Sequence, residues 1–294
     1  MTEYSYPILF GVIAGTIMRL VMLRTDYRQY PTYLHGKIIH IGMGFIAAGL
    51  GTIVLPSILE KDYTAVTFLA LAASQFRDVR NMERNTLAEL DEVELVKRGK
   101  TYIEGIAIAF EGRNYLVILT AFLVTTGYIL ANKWIAVLVF VGAFFLCRWL
   151  MAGSRLKDIV DIEYVEPRFD GPGLYVGNIY IMNIGHPERR KEVLKYGMGF
   201  ILLPKNENAR VTISNLGQRQ AILHDVTVAM GVVRDSGTPS LVPLAKLDLD
   251  DGKAGIFVLP LDRNINRVID VIGNVPALEN AIRMPGEAKK KGKF

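Results

Sequence analysis

The sequence predicts a polytopic α-helical membrane domain of about five transmembrane helices, followed by a cytoplasmic α+β domain. Three observations point there. Five apolar stretches crowd the first half of the chain, at 7–23, 38–59, 63–76, 115–131 and 134–151. The Lys and Arg residues between them fall on alternate connections. Beyond residue 153 the apolar runs shorten to strand length and are bounded by Pro, Gly and Asn. The chain is 51% hydrophobic with a mean hydropathy of +0.26, yet 14 of its 34 basic residues lie in 1–151 and the other 20 in 152–294. That split divides it into a membrane part at 1–153, a soluble part at 154–284 and a basic, disordered tail at 285–294.

A helix needs on the order of 20 mostly apolar residues to cross the hydrocarbon core, because lipid cannot satisfy a free backbone amide. Stretches one, two, four and five meet or nearly meet that length. The third, at 63–76, would cover only about 21 Å. It is retained as a span because the charges demand it. The first connection carries Arg24, Arg28 and Lys37, the third carries seven basic residues from Arg77 to Arg113, and the segment after the fifth span opens with Arg155 and Lys157. The second and fourth carry one each, Lys61 and Lys133. Positive charge stays inside, so the amino terminus is expected outside and the C-terminal domain in the cytoplasm, as a multi-pass protein of the cell membrane. Glu3 leads the first span and no small-residue cleavage site follows it, so that span reads as an anchor and not a signal peptide.

Gly11 and Gly15 in the first span, and Gly44 and Ala48 in the second, have the spacing that lets helix backbones approach, either within the chain or between copies. The plainer alternative is that glycine is common in membrane helices. Arg19, His40 and Arg148 each lie near the inner end of a span, where they can snorkel to the interface or gather as a polar cluster at the inner membrane face. The connection at 77–114 reads as an amphipathic cytoplasmic loop. Within it, 77–98 lacks Gly and Pro and carries Val79, Met82, Leu87, Leu90, Val93 and Val96 at helical steps, with Gly99 expected to end the helix.

After that stop come Tyr102, Ile103, Glu104, Gly105, Ile106 and Ala107. The hexapeptide resembles the signature of the YIEGIA family, and the apolar spans around it, with Asp262, Arg263, Asn264 and Ile265 ahead of Val275 and Pro276, extend the resemblance over the whole chain. The resemblance implies a bacterial membrane protein of endospore formers, associated with sporulation and spore envelope assembly, with no established activity and no catalytic residues to carry over. Physically, Glu104 sits in an apolar setting near the cationic inner surface. It is expected to pair with Arg19, His40 or Arg148, or else to face water.

In the soluble part, strands are expected at 159–165, 174–182, 200–203, 211–213, 241–249 and 255–261, and helices at 218–230 and from Asn264 to Pro276. These give an α+β domain with sheet on one side and helices on the other. Chemistry there is sparse. His186 has a turn composition beside Pro187, Glu188 and Arg189, and His224 adjoins Asp225 without a Ser or Cys nucleophile. Gly171, Gly173 and Gly177 lack the Lys-Ser/Thr ending of a phosphate loop, and Asp248, Asp250 and Asp251 before Gly252 lack the distal Glu of a calcium loop. The single cysteine, Cys147, allows no disulfide framework. Four lysines in the last six residues account for most of the net charge of +5, so the charge points to anionic lipid headgroups and not to nucleic acid.

The resulting expectation is a non-enzymatic scaffold or assembly factor in sporulation, without metal or cofactor. Its partners would be the lipid bilayer and proteins of spore envelope assembly, or a second copy of the chain. The alternative is a small transporter or channel using the glycine-rich spans with Arg19, His40 and Arg148, which requires polarity at mid-membrane depth. A membrane-tethered enzyme would instead require a concave site with convergent polar groups in 154–294.

Overall fold

The structure, a computed structural model, describes residues 2–26, 34–151, 153–235, 238–239 and 243–278. The tail at 285–294 and Arg28 lie outside the described residues, as does the side chain of Arg24. The chain forms two compact units, Met1–Thr86 with Ile106–Ala152, and Leu87–Gly105 with Gly153–Phe294.

The first unit is helical. After a 3-10 turn at Thr2–Tyr4 come α1 (Ser5–Asp26), α2 (Leu34–Leu59), α3 (Tyr63–Glu92), α4 (Lys100–Leu130) and α5 (Lys133–Leu150), the last residues of α3 and the first of α4 belonging to the second unit. Four helical segments among the described residues are long and apolar enough to cross a bilayer: Ser5–Leu23, Lys37–Leu59, Lys100–Leu130 and Lys133–Leu150. The expected count was about five; α3 does not reach the standard, because its apolar start runs straight into the charged residues that follow Phe76. The interior is built from small and flexible side chains, Met18 and Met22 of α1 packing with Ala47 and Ala48 of α2, Phe76 of α3 and Ala121 of α4. Asn132 starts α5, its side chain accepting from the amides of Trp134 and Ile135 at 2.9 and 3.1 Å.

Glycine makes the helix contacts close. A Cβ on Gly15 would lie 2.7 Å from that of Ala48 and 3.1 Å from that of Ala121, and one on Gly11 would overlap Thr125 and Thr52. Gly44 accommodates the stem of Arg19, and Gly51 the carbonyl of Ile118. Gly42 and Gly49 meet nothing within 4 Å. Outward, the helices of this unit present large apolar side chains, among them Phe68 of α3 at 70% exposure and Leu138 and Phe145 of α5 at 69% and 64%.

The second unit is α+β. A helical turn, α6 (Leu156–Ile159), leads into β1 (Val160–Val165), then β2 (Pro167–Asp170), β3 (Gly173–Val176) and β4 (Ile179–Asn183). Next come α7 (Pro187–Tyr196), β5 (Met198–Pro204), α8 (Glu207–Ser214) and α9 (Leu216–Met230). The two-residue strands β6 (Arg234–Asp235) and β7 (Thr238–Pro239) pair with each other, and β8 (Leu244–Leu247), β9 (Ala254–Val258) and α10 (Ile265–Asn274) complete it. The main sheet is antiparallel in the order β1-β5-β9-β8, and β2-β3-β4 form a smaller antiparallel sheet.

The small sheet lies on one face of the large one. A Cβ on Gly199 would come within 2.8 Å of Val176, and one on Gly255 within 3.2 Å of Ile179, so two glycines in the large sheet make room for two side chains of the small one. Leu174, Val176 and Ile181 are buried there with Phe257 and Leu259. Strand alternation sends the buried Phe200, Leu202 and Ile256 to the opposite face, which α8, α9 and α10 cover. The expected two layers are therefore three.

Four local expectations are corrected. The run at 174–182 is two strands, because Gly177 at φ +60° turns the chain between them. Residues 211–213 form part of α8 and not a strand, since Asn206 caps a helix by accepting from the Ala209 amide at 2.9 Å. The turn composition at His186 is the start of α7, with His186 at the N-cap and Pro187 in the first helical turn, where its missing N–H costs nothing. Gly99 does not end the helix before it. That helix, α3, stops at Glu92, and Gly99 at φ +88° stands immediately before α4.

Candidate functional site

The family-like hexapeptide is not a loop. Its residues, Tyr102 to Ala107, occupy the first two turns of α4, and the polypeptide before them folds as a tight connection from α3. Asp91, near the end of α3, is buried, and its carboxylate accepts from the backbone amides of Arg98 at 2.6 Å and Gly99 at 3.2 Å. The Gly99 carbonyl in turn accepts from the amides of Tyr102 and Ile103. One acidic side chain thus satisfies donors that the turn would otherwise leave open.

This connection is fastened to α9. The Lys97 carbonyl accepts from the Gln220 side-chain amide, and Gly217 lies against Thr101 where a Cβ would not fit. The Nδ1 of His224 lies 2.6 Å from the Val96 carbonyl, and its Nε2 accepts from the Nε of Arg98 at 3.0 Å. A carbonyl can only accept and a guanidinium can only donate, so the imidazole is neutral with its proton on Nδ1. Beside it, the Tyr102 hydroxyl donates to Asp225 Oδ2 at 3.3 Å. Arg98 completes the group with Glu94 at 3.9 Å.

Burial governs the charge states. It holds the His224 imidazole below the usual 6.5, with Arg98 adding to the effect and the Val96 carbonyl, Glu94 and Asp91 opposing it. It pushes the Asp225 carboxyl up to about 6, against the stabilising effects of the Tyr102 hydroxyl and Arg98. Because both ring nitrogens of His224 are engaged, this arrangement makes it a fastener, with no free lone pair for a substrate proton.

A separate polar group lies in the helical unit. Arg19 is completely buried, donating from Nε to the His40 carbonyl at 3.3 Å and from Nη2 to His40 Nδ1 at 3.2 Å. Its guanidinium sits 5.3 Å from the centre of the Phe110 ring, against which the His40 ring packs edge-on. Arg148 is exposed on α5, and Glu104 belongs to the second unit. Thr120 and Thr52 return their hydroxyl protons to carbonyls of their own helices at 2.8 Å. Sequence reading missed Arg113 and Asn114, both buried, and the Arg80–Glu111 pair at 2.9 Å. The available signal was the polar break at 111–114 inside an otherwise apolar run. No local signal marks the hydrogen bonds of Asp91 or Arg98, whose partners in them lie seven or more residues away.

The remaining candidates resolve into turns. Gly171 at φ +55° and Gly177 turn the β2-β3-β4 meander, and Gly252 at φ +67° closes the β8–β9 connection, where the Asp248 side chain accepts from the Asp250 amide at 3.0 Å.

A family model described as "YIEGIA protein" matches residues 7–288. A protein of Bacillus subtilis (strain 168), described as "Uncharacterized protein YphB", is 63% identical over 287 residues, covering 98% of this chain and 97% of that protein. No solved structure matches.

Proposed function

The chain belongs to the YIEGIA family, and from that premise we propose that it is a multi-pass membrane protein acting as a non-enzymatic scaffold or assembly factor in spore formation. The observation that carries the membrane part is the reversed polarity of the first unit. Large apolar side chains cover its outside, while Ala47, Ala48 and Ala121 and the guanidinium of Arg19 lie inside. In water such a surface would aggregate, whereas in lipid it is solvated. Exposed aromatics stand at the starts of alternate helices, Tyr6 on α1, Tyr63 on α3 and Trp134 on α5, with Trp149 at the far end of α5. With the amino terminus outside, the first three fall on one interface, as an aromatic belt requires, and the first half of α3 completes a fifth crossing.

Support for a scaffold over a pore comes from packing. The contacts at Gly11, Gly15 and Gly51 leave no space between α1, α2 and α4 at mid-helix, the hydroxyls of Thr52 and Thr120 are turned on their own backbones, and that of Thr125 donates to the Pro7 carbonyl. In the second unit, the α3–α4 connection is held by hydrogen bonds that occupy both ring nitrogens of His224 and the Tyr102 hydroxyl, which favours a rigid presenting surface over a reaction centre.

The test is recovery of the tagged full chain from membranes of sporulating cells in detergent, followed by identification of bound proteins. Spore envelope components recovered reproducibly would support the proposal. Extraction without detergent would end the membrane reading. Ion or solute flux through liposomes holding the purified chain would replace the scaffold with a transporter.

A further inference from the structure

We propose that His224 is a proton-operated latch, holding the α3–α4 connection against α9 while its imidazole is neutral and releasing it on protonation. The inference goes beyond the membrane and scaffold reading and does not depend on it, since every group involved lies in the second unit.

The geometry leaves the imidazole no room for a second proton. Nδ1 is committed to the Val96 carbonyl at 2.6 Å, and Nε2 faces the Nε–H of Arg98 at 3.0 Å. A proton added at Nε2 would place two N–H groups head to head and an imidazolium beside a guanidinium. The Arg98 bond then breaks, and like charges push the two sides apart. The charged groups that reach His224 are Arg98, Glu94 and Asp91. Arg98 opposes protonation. Glu94 favours it, yet Glu94 stands 3.9 Å from Arg98 and is partly exposed. Asp91 is occupied with the amides of Arg98 and Gly99. Tyr102 and Asp225 form the neighbouring contact and keep their hydrogen bond whether or not Asp225 carries a proton, because a carboxyl oxygen accepts in either state.

His224 sits where its loss propagates. Its two bonds hold Val96 and Arg98, which with the Lys97 carbonyl bound by Gln220 make up the last residues before Gly99 and the start of α4. Beyond the latch, this segment is retained on α9 by Gln220, by the Tyr102–Asp225 bond and by the contact of Thr101 with Gly217. Release therefore frees the connection locally and leaves the sheet and α10 in place.

The experiment uses the full chain in detergent micelles, with Cys147→Ala and spin labels on cysteines replacing Val93 and Val228, which are 85% and 64% exposed. Distance distributions are recorded at about pH 7.5 and at successively lower pH down to the onset of acid unfolding, because the imidazole is held below its ordinary value. The wild-type background should give one distance at the highest pH and a longer, majority population as the pH falls. His224→Gln reproduces both hydrogen bonds without titrating, and should keep the single distance throughout. Asp225→Asn leaves the imidazole in place and should still open in acid. An unchanged wild-type distance in acid, an equal opening in His224→Gln, or loss of opening in Asp225→Asn would each overturn the latch.

Discussion

Asn114 is completely buried, and both atoms of its amide lack a hydrogen-bond partner among the described residues. An unsatisfied buried amide costs about 1–3 kcal/mol, whereas an apolar side chain of similar volume costs nothing there. Asn114→Leu is therefore expected to leave the thermal midpoint in detergent unchanged or to raise it, the gain being about 1 kcal/mol. A clear fall in the midpoint would reveal a partner for the amide.

The two titrating neighbours on α9 make a paired prediction at the same scale. Asp225 has its carboxyl raised from 3.8 to about 6 by burial, so the stability it contributes is present below 3.8 and is lost as pH rises through 6. His224 is held below 6.5, so its contribution is present above 6.5 and is lost as pH falls through its folded value. Where the two windows overlap, below about pH 6, the slopes oppose each other. Denaturant titrations of the full chain should show a shallow pH dependence in the wild type. His224→Gln should fall in stability as pH rises from about 4 to 6, and Asp225→Asn should gain stability as pH rises toward 6.5. Identical slopes in the two variants would exclude this assignment.

Among elements, helix packing depends on where the missing Cβ points. Gly15→Ile should lose at least about 1–3 kcal/mol, because its side chain would have to displace Ala48 and Ala121. Gly49→Ala, with nothing within 4 Å, should be neutral or gain up to about 1 kcal/mol from helix propensity. Thermal melts of the two variants in one detergent separate these outcomes. In the second unit, Asp91→Ala removes the acceptor of two amides in the α3–α4 turn and should speed hydrogen exchange at Arg98 and Gly99, with about 1–3 kcal/mol lost locally. The alternation of apolar residues made β1 legible in the sequence, the short apolar run at 200–203 made β5 legible, and Asn264 followed by Val268 and Ile272 on one helical face made α10 legible. Residues 207–214 were not legible as a helix. Val211 and Ile213 alternate with polar neighbours as a strand would, and only the Asn206 cap and burial of Ala209, Thr212 and Ile213 favour the helix.

At the scale of the whole molecule, α3 decides the topology. If its first half crosses the bilayer, five spans put the two termini on opposite sides; if only the four longer helices cross, the termini share a side. Reporter fusions after Phe294 and within the Lys61–Asp62 turn are expected to be active inside and outside the cell, respectively. A fusion after Phe294 active outside would overturn the proposed orientation.

The sequence by itself marked the apolar parts of the helices in the first half, because a long apolar run leaves the backbone no partner but itself, while the start of α4 at Lys100 was not legible in it. It also placed most strands of the second half and the family membership. Tertiary structure alone decided that Leu87–Gly105 folds with the C-terminal unit, that Arg19 is buried against His40 and Phe110, and that His224 clasps Val96 and Arg98. Those contacts join residues from 21 to 128 positions apart, and no local period or cap encodes a meeting at that separation.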